Sequence, residues 1–239
     1  MTPGEGYRLL NAFQATFQQV KYRHRVSTQG DLVAIHLYED LYGLAKSRKL
    51  RKRIDSREWG VNIQNTRQAI AARRGDGTFG EIVPKSSTVL EAGFRAARGP
   101  LATVEIGVEV KILAKAMIKQ IDRVGSDFRG QIEHFRRGGG NPICVGIVGI
   151  NHAEQYTSYE GSRSYTTDGR KEKHPFQEAD AARNRLQFAT APNFDFFLFL
   201  HFKATNVPPY PFGWADEART GADYAALLIR LSREYDKRF

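Results

Sequence analysis

Cysteine is almost missing from this chain: Cys144 is the single one in 239 residues. One thiol forms no internal disulfide and no cysteine cage for zinc. Cys144 lies inside the apolar run 143–150, which marks it as a small core residue. Long hydrophobic runs are missing too. None approaches the roughly 20 residues a membrane-spanning helix needs. The opening residues MTPGEG lack the basic start and apolar middle of a secretion signal, so an intracellular, cytoplasmic protein is the expectation. There is no GxxxxGK[ST] loop, no GxSxG elbow and no HExxH, which removes the P-loop phosphate cradle, the serine-hydrolase elbow and the zincin site. The six histidines show no ligand-like spacing, and no internal repeat or low-complexity tract is present.

Acid is in shorter supply than base. Thirty-six Lys and Arg stand against 26 Asp and Glu, a net charge of +10. A surplus of that size suits a polyanionic partner, because each neutralised phosphate of a nucleic acid releases counterions. A hydrophobic content of 41% is ordinary for a water-soluble fold, and 239 residues are expected to form one domain.

Residues 7–26 carry Leu9, Leu10, Phe13, Phe17 and Val20 at helical spacing, the pattern of a surface helix ending in a basic stretch. A second helix is expected from Gly30, capped by Asp31 and carrying Glu39 and Asp40. The densest run of positive charge follows, with Arg48, Lys49, Arg51, Lys52 and Arg53, suited either to a solvated helix end or to phosphate contact. Residues 58–75 read as a further helix and 79–83 as a strand. After the hairpin described next come helical patterns over 114–135, a buried strand over 143–150, a helix over 175–187, an aromatic strand over 193–202 and a closing helix over 222–235. Residues 151–175 read as a mobile loop in which Arg163, Arg170 and Lys171 stand among tyrosines, a makeup that could grip nucleic acid by charge and stacking.

The most strand-like stretch is 102–113. Its alternation puts Glu105, Gly107, Glu109 and Lys111 on one face and Val104, Ile106, Val108, Val110 and Ile112 on the other. Two residues along a strand span about 6.6 Å, so Glu109 and Lys111 can meet one phosphate group and its metal. A preceding strand over 87–94, turned back near Gly99, would bring Glu91 opposite Gly107 and diagonal to Glu109.

An acid in a hairpin, then Glu109-Val110-Lys111 on the next strand, then a helix, resembles the PD-(D/E)XK nuclease superfamily. No other Asp or Glu in the chain is followed two places later by Lys. The resemblance implies an α/β fold with a restriction-endonuclease-like mixed central sheet flanked by helices, its catalytic core over 31–150. It also implies cleavage of DNA leaving a 5′-phosphate. The catalytic set would be Glu91, Glu109 and Lys111. Magnesium or manganese would be held by Glu91, Glu109 and the Val110 carbonyl, in keeping with the hard oxygen ligands these ions demand. Glu39 and Gln131 match accessory positions, and Glu105 competes as a ligand, although it stands roughly 13 Å from Glu109 along the strand.

The expected activity is thus a Mg²⁺-dependent DNA endonuclease of restriction or defence type, acting on double-stranded DNA as a homodimer. The rival readings are a non-catalytic basic nucleic-acid-binding module, which would bind with a steep salt dependence and turn nothing over, and a protein-interaction domain that binds neither polymer.

Overall fold

The computed structural model describes residues 6–23, 28–62, 75–137, 139–160, 163–167 and 174–239. In chain order the elements are α1 (Arg8–Ala15), α2 (Thr28–Leu44), α3 (Arg48–Ser56), β1 (Trp59–Asn62), β2 (Gly77–Glu81), β3 (Ala97–Gly99), β4 (Ile106–Leu113), α4 (Met117–Arg136), β5 (Ile143–Asn151), β6 (Thr157–Glu160), β7 (Arg163–Thr166), α5 (Pro175–Ala189), β8 (Phe196–Ala204), β9 (Phe212–Trp214) and α6 (Glu217–Arg238).

Seven strands form one mixed sheet in the order β3-β1-β2-β4-β5-β8-β9, and β6 and β7 pair apart from it as an antiparallel ribbon. Strands β4, β5 and β8 run parallel at its centre. Parallel neighbours need crossover helices, which α4 and α5 supply. Both lie on one face, their apolar sides buried with Cys144, Val148 and Ile150. Helices α1, α2, α3 and α6 cover the other face, where Ile106, Val108 and Val110 point. The alternation read for residues 102–113 is therefore present, and both of its faces are covered by helices. Among the described residues no helix is long and apolar enough to cross a membrane.

Three expectations need correction. Strand β3 pairs with β1, and both β1 and β2 stand between it and β4, so no hairpin joins the region of Glu91 to β4. The partner of β4 is β2, antiparallel, with Gly77 opposite Val108 and Thr78 opposite Gly107. Residues 59–62 form a strand rather than the start of a helix, and 63–74 lie outside the described residues. Helix α1 has the expected apolar stripe, with Leu9 and Phe13 fully buried and Asn11 and Ala15 exposed, but it ends at Ala15, short of the basic stretch. It has no side-chain cap of its own. Asp40 of α2 accepts the Arg8 and Leu9 N–H groups at 2.8 and 2.9 Å and the Tyr224 hydroxyl at 2.8 Å, tying three helices together.

Candidate active site

The site is built on the ribbon of β2 and β4. Asp76 lies in the bend just before Gly77, the first paired residue of β2, and the Glu109 carboxylate acts on it electrostatically, so the two acids are neighbours. The Asp76 carboxylate lies at the edge of β4, where its Oδ2 accepts the Val110 N–H at 2.7 Å. An extended residue turns its N–H and C=O to the same edge, so the Val110 carbonyl also faces the Asp76 side. Glu109 is buried on the opposite side from Val108, and the Lys111 Nζ donates to its Oε1 at 2.5 Å.

Two glycines permit this closeness. A Cβ on Gly30, in the first turns of α2, would stand 2.7 Å from the Asp76 carboxylate, so α2 approaches Asp76 without a side chain between them. Asp31, buried in the same turn, raises the negative charge around Asp76. A Cβ on Gly107 would stand 2.4 Å from the Phe135 ring, so α4 lies directly on β4 there.

Helix α4 also carries Gln131 to the site. Phe135 covers Gly107, and Asp127 acts electrostatically on Lys111, so helix and strand run in opposite directions across one another. Four residues of helix rise about 6 Å and two of strand about 6.6 Å. Gln131, midway between Asp127 and Phe135 and itself buried, therefore stands over Glu109.

Charge in this cluster is strongly coupled. Burial first, and then the Glu109 carboxylate, push Asp76 up to about 8. Asp31 adds to the rise, while the Val110 N–H and the Lys111 ammonium work against it. Burial alone would lower the Lys111 pKa. Glu109, by charge and hydrogen bond, then Asp76 and Asp127 outweigh that and hold it above its ordinary value.

The other residues singled out in the sequence have different surroundings. Glu91 is not brought to Glu109: its carboxylate takes the Arg98 guanidinium at 2.5 Å, on a segment bridged to β3 at Val89. The acid beside Glu109 is Asp76, which sequence reading passed over because Gly75-Asp76-Gly77 looked only like a helix breaker. Glu39 is buried and accepts the Arg95 and Ala96 N–H groups at 2.9 Å, which fixes the approach to β3. Glu105 is buried among Arg53 Nη1, at 2.9 Å from both of its oxygens, the Trp59 Nε1 at 3.0 Å and the Tyr235 hydroxyl. Both acids serve the fold.

Of the basic run, Arg53 is taken by Glu105, Lys49 donates to the Asp236 carbonyl at 3.1 Å and Arg51 lies over the Tyr42 ring, while Arg48 and Lys52 are exposed. Helix α3 thus sits by Glu105, six residues or about 20 Å along β4 from Lys111. Arg163 is exposed on β7, within the stretch read as loop, and Arg170 and Lys171 lie outside the described residues.

Among the described residues no group of three or more His, Cys, Asp and Glu side chains forms a metal cage. Magnesium uses one or two carboxylates and keeps several waters, so the donor set of Asp76, Glu109 and the Val110 carbonyl fits it. The rise of Asp76 to about 8, caused in part by an adjacent carboxylate, is relieved by a cation between the two. No protein-family model, no curated protein and no solved structure matches this chain.

Proposed function

We propose that this chain is a Mg²⁺- or Mn²⁺-dependent DNA endonuclease of the PD-(D/E)XK kind. The observation that carries the reading is the Asp76 carboxylate on the Val110 N–H, beside Glu109 and Lys111, both of which act on its charge. The arrangement supports a restriction-endonuclease-like sheet, in which an antiparallel ribbon bears the acids and its second strand leads through α4 to a parallel neighbour. The net charge of +10 suits a duplex substrate.

Asp76, Glu109 and the Val110 carbonyl would hold the cation. When bound, it supplies a water of lowered pKa and offsets charge on the scissile phosphate. Lys111, its pKa held above the ordinary value, stays an ammonium at neutral pH. It therefore donates rather than abstracts a proton, orienting the attacking oxygen and stabilising charge that develops on the phosphate. Gln131, over Glu109, can hold that carboxylate by its amide. Asp31, behind Asp76, keeps the pocket negative enough to prefer a dication.

The 2.5 Å pair of Lys111 with Glu109 also favours a second reading, an inert, largely buried ion pair in a basic nucleic-acid-binding module. Plasmid cleavage separates the two. With Mg²⁺ the wild-type chain nicks or linearises DNA, EDTA stops it, and Lys111→Ala lowers the rate by about 10²-fold or more. Binding with no Mg²⁺-dependent turnover by the wild type, or equal turnover by Lys111→Ala, overturns the nuclease reading.

A further inference from the structure

We propose that the outer edge of β8 is the surface through which two copies of this chain join, their sheets continuing into one. Strand β9 pairs only with Phe202–Ala204 of β8. Along β8 the even-numbered residues turn their main-chain groups to β5, as the His152 N–H to the Phe202 carbonyl shows at 2.7 Å. The odd-numbered ones turn outward, as the Ala215 N–H to the His201 carbonyl shows at 2.9 Å. The main-chain groups of Phe197 and Phe199 therefore face outward, and no hydrogen bond among the described residues reaches them.

The open stretch reads Phe-Phe-Leu-Phe-Leu over 196–200. It carries no charge, proline or glycine, the devices by which a solvent-facing edge avoids pairing with other strands. A groove of about 440 Å³ runs along it between α5 and α6. An edge of this composition calls for another strand.

A second copy is the occupant the charges select. Pairing β8 antiparallel with itself about a two-fold axis is self-complementary. Helix α6 runs opposite to β8, its start anchored at His201 and its Arg230 guanidinium 5.3 Å from the Phe196 ring. The two-fold would lay α6 antiparallel to its copy. Arg219 and Asp223 both line the groove, are exposed and stand 3.7 Å apart one turn along α6. Near the axis they can exchange partners, each meeting the opposite charge of the other copy.

Counted across the joined sheets, the two β4 strands stand five strand spacings apart, about 24 Å, with both Glu109 residues on one face. Two cutting sites facing one side are what scission of both strands of a duplex needs. That consequence rests on the nuclease reading, while the interface does not.

Sedimentation velocity of the full chain over a hundredfold concentration range tests the interface. The wild type is expected to approach twice its 27.0 kDa mass. Asp223→Arg should weaken association at least ~10-fold, and the double exchange Arg219→Asp with Asp223→Arg should restore it. Phe199→Pro, which removes an outward N–H, should fold and remain monomeric. Asp223→Arg changes only an exposed side chain and carries the test even where Phe199→Pro does not fold. A wild type monomeric at every concentration, or Asp223→Arg associating like the wild type, overturns the proposal. A chain that dimerises but does not cut DNA counts against the nuclease reading alone.

Discussion

The Oδ2 of Asp76 accepts the Val110 N–H at 2.7 Å, although 33 residues separate Asp76 from Glu109, the carboxylate beside it. One main-chain hydrogen bond thus fixes an acid from the approach to β2 beside the Glu-x-Lys of β4. The local cost is a buried carboxyl beside a second carboxylate: burial first, and then Glu109, raise Asp76 to about 8.

That rise has a sign for stability. The Asp76 carboxyl keeps its proton in the folded chain at pH values where the unfolded chain has lost it. Folded protein therefore binds more protons than unfolded between about pH 4 and 8, and this residue's contribution to stability falls as pH rises through that window. In EDTA, Asp76→Asn should flatten the fall and melt higher than the wild type at pH 8, by roughly 1–3 kcal/mol after allowance for relaxation and partial solvent access. Thermal melts at pH 5 and pH 8 read this directly, and a steeper fall in Asp76→Asn than in the wild type would count against the coupling.

Gly30→Ala should separate stability from activity. Alanine favours a helix over glycine by about 1 kcal/mol. The added methyl group would meet the Asp76 carboxylate at 2.7 Å and displace it. Misplacement of a reacting group by about 1 Å can cost 10²-fold. The expected variant melts no lower than the wild type and cleaves DNA at least ~10-fold more slowly.

Glu105 gives the opposite split. Removing its carboxylate by Glu105→Ala leaves the Arg53 guanidinium beside Trp59 and Tyr235 without its counter-charge. Breaking such a pair costs about 3–5 kcal/mol. Denaturant unfolding should show that loss, and whatever protein remains folded should cleave at the wild-type rate, because Glu105 lies away from Lys111.

The exposed bases of α3 are tested by salt. If Arg48 and Lys52 meet phosphates, the double change to Ala lowers the slope of log K against log salt by about 1.8 for duplex DNA, roughly 0.9 for each contact. An unchanged slope would assign them to solvent, and the place of α3 by Glu105 rather than by Lys111 favours that result.

Much of the fold is legible in the sequence where period and length agree. Strands β5 and β8 and helices α5 and α6 carry long apolar patterns that neighbouring segments do not interrupt. Glu109 and Lys111 are legible because strand alternation puts both on one face. Asp76 is not, because its role depends on a pairing that skips β3 and the segment before it. A reading that joins neighbouring segments into a hairpin selects Glu91 instead. The signal that was present is Asp76-Gly77 at the mouth of a short strand, the place where a side chain can turn to an adjacent strand's edge. Trp59 and Val61 alternated as a strand does, but the polar residues around them suggested a helix. Glu39 and Asp31 share α2, and only the close approach at Gly30 shows which of them reaches the pocket.

The most direct test is Mn²⁺ binding by calorimetry on the metal-free chain, with Asp76→Asn, Glu109→Gln and Glu91→Gln alongside. The account predicts about one ion per chain for the wild type, bound through two carboxylates. Affinity should fall at least ~10-fold in Asp76→Asn and in Glu109→Gln, and stay unchanged in Glu91→Gln. Wild-type affinity in Asp76→Asn, or a loss confined to Glu91→Gln, would contradict it.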